Sequence, residues 1–294
     1  MNFNDWKNSG QFFSYKNQHQ IFYQENGSGE TLLLIHGFPT ASWDWNKIWN
    51  PLKEKYHLLA PDLIGFGFSD KPKKYNYSIM DQADLIEDFL QKKKIKQAHI
   101  LAHDYGDTVL QEILARFIDR KNAGKESFEI QSVVLLNGGL FPETHQALPI
   151  QKLLISPIGG LLVHFLNRKK LKKSFNNIFG KETQATEQEI NEFYTLMEHK
   201  NGRMIFHKLI CYMSDRKKYR ERWVAALQKS PIPISLINGA ADPISGKHMT
   251  ERYKELIPNP VIVLLDIIGH YPQTEAPKKV LKAYFDFRER IKWD

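Results

Sequence analysis

The residues with the clearest chemistry lie in Ile100-Leu101-Ala102-His103-Asp104-Tyr105-Gly106-Asp107. A short apolar run leads into Asp104, small residues stand two positions to either side, and a helix-compatible run follows over 108–120. This is the strand, sharp turn and helix of a nucleophile elbow, with Ala102-x-Asp104-x-Gly106 in place of G-x-S-x-G. Small flanking residues suit such a turn, because its backbone is strained and the strand and helix approach closely. A serine there needs a base before it attacks. A carboxylate, with an ordinary pKa of about 4, is already ionised at neutral pH. It can attack a saturated carbon directly and leave an alkyl ester. The bland alternative is an Asp that caps the following helix, and the segment alone does not separate the two.

A hydrolytic nucleophile of this kind needs a base, an acid to orient the base, and donors for an oxyanion. Asp242 stands in Asn238-Gly239-Ala240-Ala241-Asp242-Pro243, and His270 in Gly269-His270-Tyr271-Pro272. Each loop follows a short apolar run, and the order nucleophile, acid, histidine is the one an elbow of this type uses. Asp266 is a rival acid, but it sits on the end of the strand that carries His270 and is less well placed to orient the ring. His36-Gly37-Phe38-Pro39 follows an earlier apolar run. Gly37 lets the backbone turn close to the site. The backbone N–H groups of Phe38 and Tyr105 are the expected oxyanion donors. His103 is expected to pack behind the elbow, Gly65 and Gly67 to shape a loop, and Asn137 to satisfy a turn or support the acid.

The elements that must hold these residues alternate. Strands are expected at 11–15, 18–24, 31–35, 57–60, 98–102, 133–136, 234–237 and 261–265, from short apolar or alternating runs between turn signals. Helices are expected at 42–55, 78–94, 248–256 and 277–291 from their apolar spacing. Pro51 demands a kink or an early end in the first of these. Over 141–223 the pattern is mostly helical, and the alternation stops. Apolar strands alternating with helices predict a mostly parallel sheet covered on both faces. The helical stretch then reads as a cap inserted after the sixth strand. The expected division is a core of 1–141 and 223–294 with a cap of 142–222. Ligands in such sheets bind beyond the carboxyl ends of the strands, where Asp104 lies.

Composition bounds the rest. The chain has 294 residues, 18 Phe and one cysteine, Cys211. That suffices for a large core and offers neither a disulfide framework nor a cysteine metal cluster. Residues 1–24 lack a signal-peptide pattern, and no run reaches about 18 uninterrupted apolar residues. A reducing cytoplasm is the expected setting. The net charge of +8 is concentrated: 150–222 holds 15 Lys and Arg against 7 Asp and Glu. No nucleic-acid motif accompanies this basic segment, so no nucleic-acid partner is expected. Residues 153–173 place Leu161, Leu162, Val163 and Phe165 before Arg168-Lys169-Lys170 and Lys172-Lys173. The run is read first as a cap face over an apolar tunnel, and second as a surface for weak contact with an anionic membrane.

Taken together, the motifs resemble those of the epoxide hydrolase and haloalkane dehalogenase group of α/β-hydrolases. The matching marks are His36-Gly37-Phe38-Pro39, Asp62-x-x-Gly65-x-Gly67-x-Ser69-Asp70, His103-Asp104-Tyr105-Gly106, Asp242 and His270. Within that group the chain is similar to the mesoderm-specific transcript subfamily, on Asn137-Gly138-Gly139-Leu140-Phe141-Pro142-Glu143-Thr144-His145 and Arg222-Trp223-Val224 as well. The resemblance implies the α/β-hydrolase fold and a cofactor-free, metal-free enzyme with an Asp104-His270-Asp242 triad. Its expected partners are a small apolar electrophile and water. It also implies that an epoxide oxygen is protonated by cap tyrosines. Tyr212 stands where one is expected, and no tyrosine lies between Tyr105 and Tyr194 to supply a first. Halide release in this group uses a Trp beside the nucleophile and a second Trp or Asn. Tyr105 and Phe38 occupy those positions here, and Tyr105 also replaces the Arg that fluoroacetate-type dehalogenases need. Epoxide hydrolysis is therefore the favoured activity and haloalkane dehalogenation the alternative. A binding or membrane-associated protein that retains the triad is the reading from a different class.

Overall fold

The computed structural model describes residues 1–125 and 128–291. Eight strands form one sheet: β1 (Gln11–Tyr15), β2 (His19–Asn26), β3 (Thr31–Ile35), β4 (His57–Pro61), β5 (Gln97–His103), β6 (Glu129–Leu136), β7 (Ile234–Gly239) and β8 (Val261–Leu265). Their spatial order is β1-β2-β4-β3-β5-β6-β7-β8. β1 and β2 pair antiparallel, as do β2 and β4, and every other pair is parallel. The central strands are buried along most of their length, as expected for Val-, Ile- and Leu-rich strands covered on both faces.

The helices that follow these strands make two packed groups. α2 (Asn46–Lys53) packs with α13 (Pro272–Glu275) and α14 (Pro277–Arg290). α3 (Ile79–Lys92) and α11 (Arg220–Gln228) flank α4 (Tyr105–Asn122). α3 begins where Ser78 accepts a hydrogen bond from the Asp81 N–H, a standard N-cap. Ile79, Ala83, Leu85, Ile86, Phe89 and Leu90 then form its buried face. α12 (Lys247–Leu256) lies between β7 and β8 in the chain.

Between β6 and β7 the chain leaves the sheet. It forms α5 (Pro149–Leu154), α6 (Gly159–Leu162), α7 (Arg168–Ile178), α8 (Glu187–Glu198), α9 (Phe206–Leu209) and α10 (Tyr212–Lys218) before α11. α8 is started by a reciprocal capping box between Thr186 and Glu189. α11 crosses the division expected at 222 and 223. Arg222 and Trp223 both donate to Glu112 of α4, so this helix is fixed to the core side.

Pro51 lies inside α2, and the helix ends early as expected, at Lys53 and not at 55. Two local features differ from the sequence reading. The segment 42–45 that precedes α2 is a tighter 3-10 turn. The N-terminus forms a helix not read from the sequence, α1 (Phe3–Ser9), capped by Asn2. It is anchored by Trp6, fully buried against Trp43 and Trp49.

Candidate active site

The parallel strands point their carboxyl ends to one edge, and each contributes one piece of the site there. His36 to Pro39 follow β3, Asp104 follows β5, Asn137 follows β6, Asp242 follows β7 and His270 follows β8.

Asp104 caps α4 with φ 48° and ψ −104°, a strained conformation for a residue with a β-carbon. The strain is imposed by close packing. A β-carbon on Gly106 would fall 2.3 Å from the Ile35 carbonyl oxygen, and one on Gly37 would fall 2.6 Å from His103 Nδ1. Glycine at both positions lets β3, its loop and the elbow approach one another.

The Asp104 carboxylate is buried and held on both oxygens. The Phe38 N–H donates to Oδ2 at 3.2 Å, and His270 Nε2 lies 3.8 Å from the same oxygen. Arg216 of α10 lies 3.4 Å from Oδ1 through Nη2, which also donates to the Asp104 carbonyl at 3.1 Å. Burial alone would raise the pKa of Asp104, but the charge of His270 and then that of Arg216 hold it well below the usual carboxylate range. Tyr105 opens α4, so its N–H is among the helix donors without an intrahelical acceptor.

His270 Nδ1 lies 2.7 Å from Asp242 Oδ2. Asp242 is the most enclosed member of the group. It accepts from the Ile244 N–H at 2.8 Å, Ser245 Oγ at 2.8 Å and Asn137 Nδ2 at 3.0 Å. Burial opposes its charge, but His270, Asn137 and these N–H groups keep it below its ordinary value. Burial would lower the His270 pKa, yet the two carboxylates on either side raise it above the ordinary histidine value. Asp266 is exposed and lies outside this group.

The surrounding residues fix these positions. His103 Nε2 donates to the His270 carbonyl at 2.8 Å, and burial with the nearby His270 charge lowers its pKa to about 3, which keeps it neutral. The His36 ring accepts from the Leu63 N–H at 3.0 Å, joining the loop after β3 to the loop that carries Gly65 and Gly67. The Phe38–Pro39 peptide is cis.

Above Asp104 is a small cavity of about 100 Å³. Phe38, Pro39, Asp104 and His270 line it from the core, and Leu148, Leu154, Leu171, Phe175, Met197 and Phe206 line it from the helices between β6 and β7. No tryptophan lines it. Tyr212 is buried beside it, packed on Tyr105 at 5.1 Å and Phe38 at 6.0 Å, with the Arg216 guanidinium over its ring at 4.5 Å. Burial, then the Asp104 charge, raises its pKa further above the ordinary tyrosine value. Its hydroxyl neighbours Arg216 and Gln151, and Gln151 lines the cavity. Tyr194 also lines the cavity, but its hydroxyl is engaged with Glu198.

The sequence reading missed Arg216. It lies in Asp215-Arg216-Lys217-Lys218, a run that looks solvent-exposed. In the structure it is 2% exposed, and Nε donates to Thr108 at 2.8 Å. It also missed Asp107, which burial and the Asp104 charge push well above the carboxylate range. Among the described residues, no group of three or more His, Cys, Asp or Glu side chains is arranged to hold a metal ion.

A mostly parallel sheet with this elbow, and an acid and a histidine after later strands, defines an α/β-hydrolase. The α/β-hydrolase-fold family matches residues 30–277, and the chain belongs to it. The chain is 40% identical to the mesoderm-specific transcript protein of Mus musculus, over 96% of this chain and 86% of that protein. It is 32% identical to a Mycobacterium tuberculosis protein named as a hydrolase, LipZ, over 95% of each. Among solved structures, the haloalkane dehalogenase DbeA of Bradyrhizobium elkani superposes with a TM-score of 0.80 at 19% identity, covering 97% of this chain and 98% of that one. That last likeness is one of fold.

Proposed function

We propose that this hydrolase cleaves an epoxide, or a similar small apolar electrophile, through an alkyl ester on Asp104. The observation that carries the reading is a buried aspartate side chain at a strained elbow, below an apolar cavity, with His270 3.8 Å from its Oδ2. A carboxylate there attacks carbon without activation. A serine would need the histidine for that step.

In the first step an Asp104 oxygen forms a bond to a ring carbon and the carbon–oxygen bond of the epoxide breaks. The departing alkoxide takes a proton, and Tyr212, at the cavity margin, is the donor we assign. In the second step His270 removes a proton from water, and the water oxygen attacks the ester carbonyl carbon. The N–H groups of Phe38 and Tyr105 receive the oxyanion. As the intermediate collapses, the bond from the carbonyl carbon to the alkyl oxygen breaks, that oxygen takes the proton held by His270, and the proton of the new carboxyl group returns to the Tyr212 phenolate, which releases the diol and restores the carboxylate. Forming the ester removes the Asp104 charge, one of the two that raise the His270 pKa. The histidine therefore becomes a better base only once there is an ester to hydrolyse. A halide leaving group would want N–H donors, and the absence of any indole among the cavity residues favours an oxygen leaving group.

The test is a screen of small epoxides and haloalkanes with product identification, followed by a single turnover in water enriched in heavy oxygen. Attack on the ester carbonyl places the heavy oxygen in Asp104, and the diol receives an oxygen from the enzyme. Heavy oxygen found only in the product would mean direct attack by water and would overturn the ester mechanism.

A further inference from the structure

The outer surface of the segment that roofs the cavity exposes four large apolar side chains to solvent. Leu153 is 47% exposed, Ile158 53%, Leu161 68% and Phe165 64%. These are four of the seven large exposed apolar side chains among the described residues, and the other three, Met1, Phe12 and Ile267, lie elsewhere in the chain. The segment thus carries apolar side chains on two sides. Leu148, Leu154, Leu166 and Leu171 face the cavity, while the exposed four face out. A contiguous apolar patch with a polar rim marks an interaction surface more often than isolated exposed residues do.

The rim is basic. Lys152, Lys169, Lys170 and Lys173 have no ion-pair partner among the described residues, and Arg168 and Lys172 share the single carboxylate of Glu187. The patch also adjoins the mouth of the cavity. Asn167 and Lys170 both line the cavity and are exposed, and Lys170 Nζ lies 5.8 Å from the Phe165 ring centroid. The turn that presents Phe165 is fastened from behind, since Arg203 Nη1 donates to the carbonyls of His164 at 3.2 Å and Leu166 at 3.1 Å. The patch is held in place by this contact and is not a loose end.

We propose that this face docks on an anionic phospholipid surface, with Leu153, Ile158, Leu161 and Phe165 entering the interfacial layer and the lysines resting among the headgroups. Apolar side chains ringed by unpaired lysines match a surface that is apolar inside and negative at its boundary. A second copy of the chain is a poorer occupant. A symmetric dimer would set this patch against itself and bring like charges together. The cavity mouth would then open at the lipid surface. The docking does not depend on which electrophile the site accepts.

Sedimentation of the full chain with phosphatidylcholine vesicles, with and without phosphatidylglycerol, tests this. The expected result is binding to the anionic vesicles at low salt, reversed at about 1 M salt, where the Debye length is about 3 Å. The double variant Leu161→Ser, Phe165→Ser and the double variant Lys169→Glu, Lys173→Glu should each weaken binding at least tenfold. Phe12→Ser, remote from the patch, should not. Circular dichroism establishes that each variant is folded. Equal recovery with anionic and neutral vesicles at low salt, or binding that survives both double variants, overturns the proposal. A face that recognises a protein partner would give the first of these results.

Discussion

Arg216 holds Asp104 from above at two points, its backbone carbonyl at 3.1 Å and its Oδ1 at 3.4 Å. The contact spans 112 residues and ties α10 to the elbow. Both groups are almost completely buried. Removing one member of a buried pair costs about 3–5 kcal/mol when the other charge is left alone, and here the His270 imidazolium 3.8 Å from Oδ2 keeps the loss toward the low end of that range. Arg216→Met should therefore lower the unfolding free energy by about 3 kcal/mol in urea denaturation. It should also raise the Asp104 pKa, because a cation that favours the carboxylate is gone. The acid limb of ester formation then moves to higher pH. Arg216→Lys keeps the charge and should shift that limb less. A variant with unchanged stability and an unchanged acid limb would mean that Arg216 neither supports nor tunes the nucleophile.

His270 and Asp104 should be separable by step. On the proposed ester mechanism, His270→Gln should leave the carboxylate able to attack and remove the base that activates water. Intact mass spectrometry with a true substrate should show an adduct that accumulates over minutes, on a peptide containing Asp104. Asp104→Asn should show none. Rapid turnover by Asp104→Asn, or an adduct on a different residue, would remove Asp104 as the nucleophile.

The convergence of Asp104, Asp242 and His270 was readable because each follows an apolar run that had to be a parallel strand. Parallel strands in one sheet end on one edge, so residues 104, 242 and 270 had to share it whatever the details of packing. Arg216 had no such marker. Its neighbours Asp215, Lys217 and Lys218 make it look solvated, and only the way α10 settles over α4 buries it. Asn137 was marked by its place after β6 as a residue to satisfy a turn or support the acid, but nothing local chose between the two. Its role as a donor to Asp242 depends on a backbone φ of 45° and a contact 105 residues away, and neither is carried by local composition. α1 was missed because seven residues give too little periodicity. What stabilises it is Trp6 inserted among distant tryptophans.

Stability should also depend on pH through His270. Its folded pKa is raised to about 10, after the opposing effect of burial, by Asp242 and Asp104. The unfolded value is about 6.5. A raised pKa means that protonation favours the fold. The contribution is fully present below about pH 6.5 and is lost as pH rises toward the folded value. The difference in unfolding free energy between wild type and His270→Gln should therefore shrink from pH 6 to pH 10. A difference that stays constant over this range would show that the imidazolium is not held by the two carboxylates.

Tyr212 gives the sharpest test of the leaving group. An epoxide oxygen departs as an alkoxide and needs a proton in the transition state, whereas a halide departs without one. Loss of one general acid costs about 10²-fold. Tyr212→Phe keeps the ring packed on Tyr105 and Phe38 and under the Arg216 guanidinium, and removes only the hydroxyl. Epoxide turnover should fall by about 10²-fold, with little change in any haloalkane activity. Because the residue is buried, thermal unfolding must accompany the kinetics, and an unchanged midpoint ties the loss to chemistry. Equal losses on both substrates would mark Tyr212 as a packing residue. Haloalkane turnover with no epoxide turnover at all would replace the epoxide with a halide as the electrophile, and the halide's N–H donors would then have to be the backbone groups of Phe38 and Tyr105.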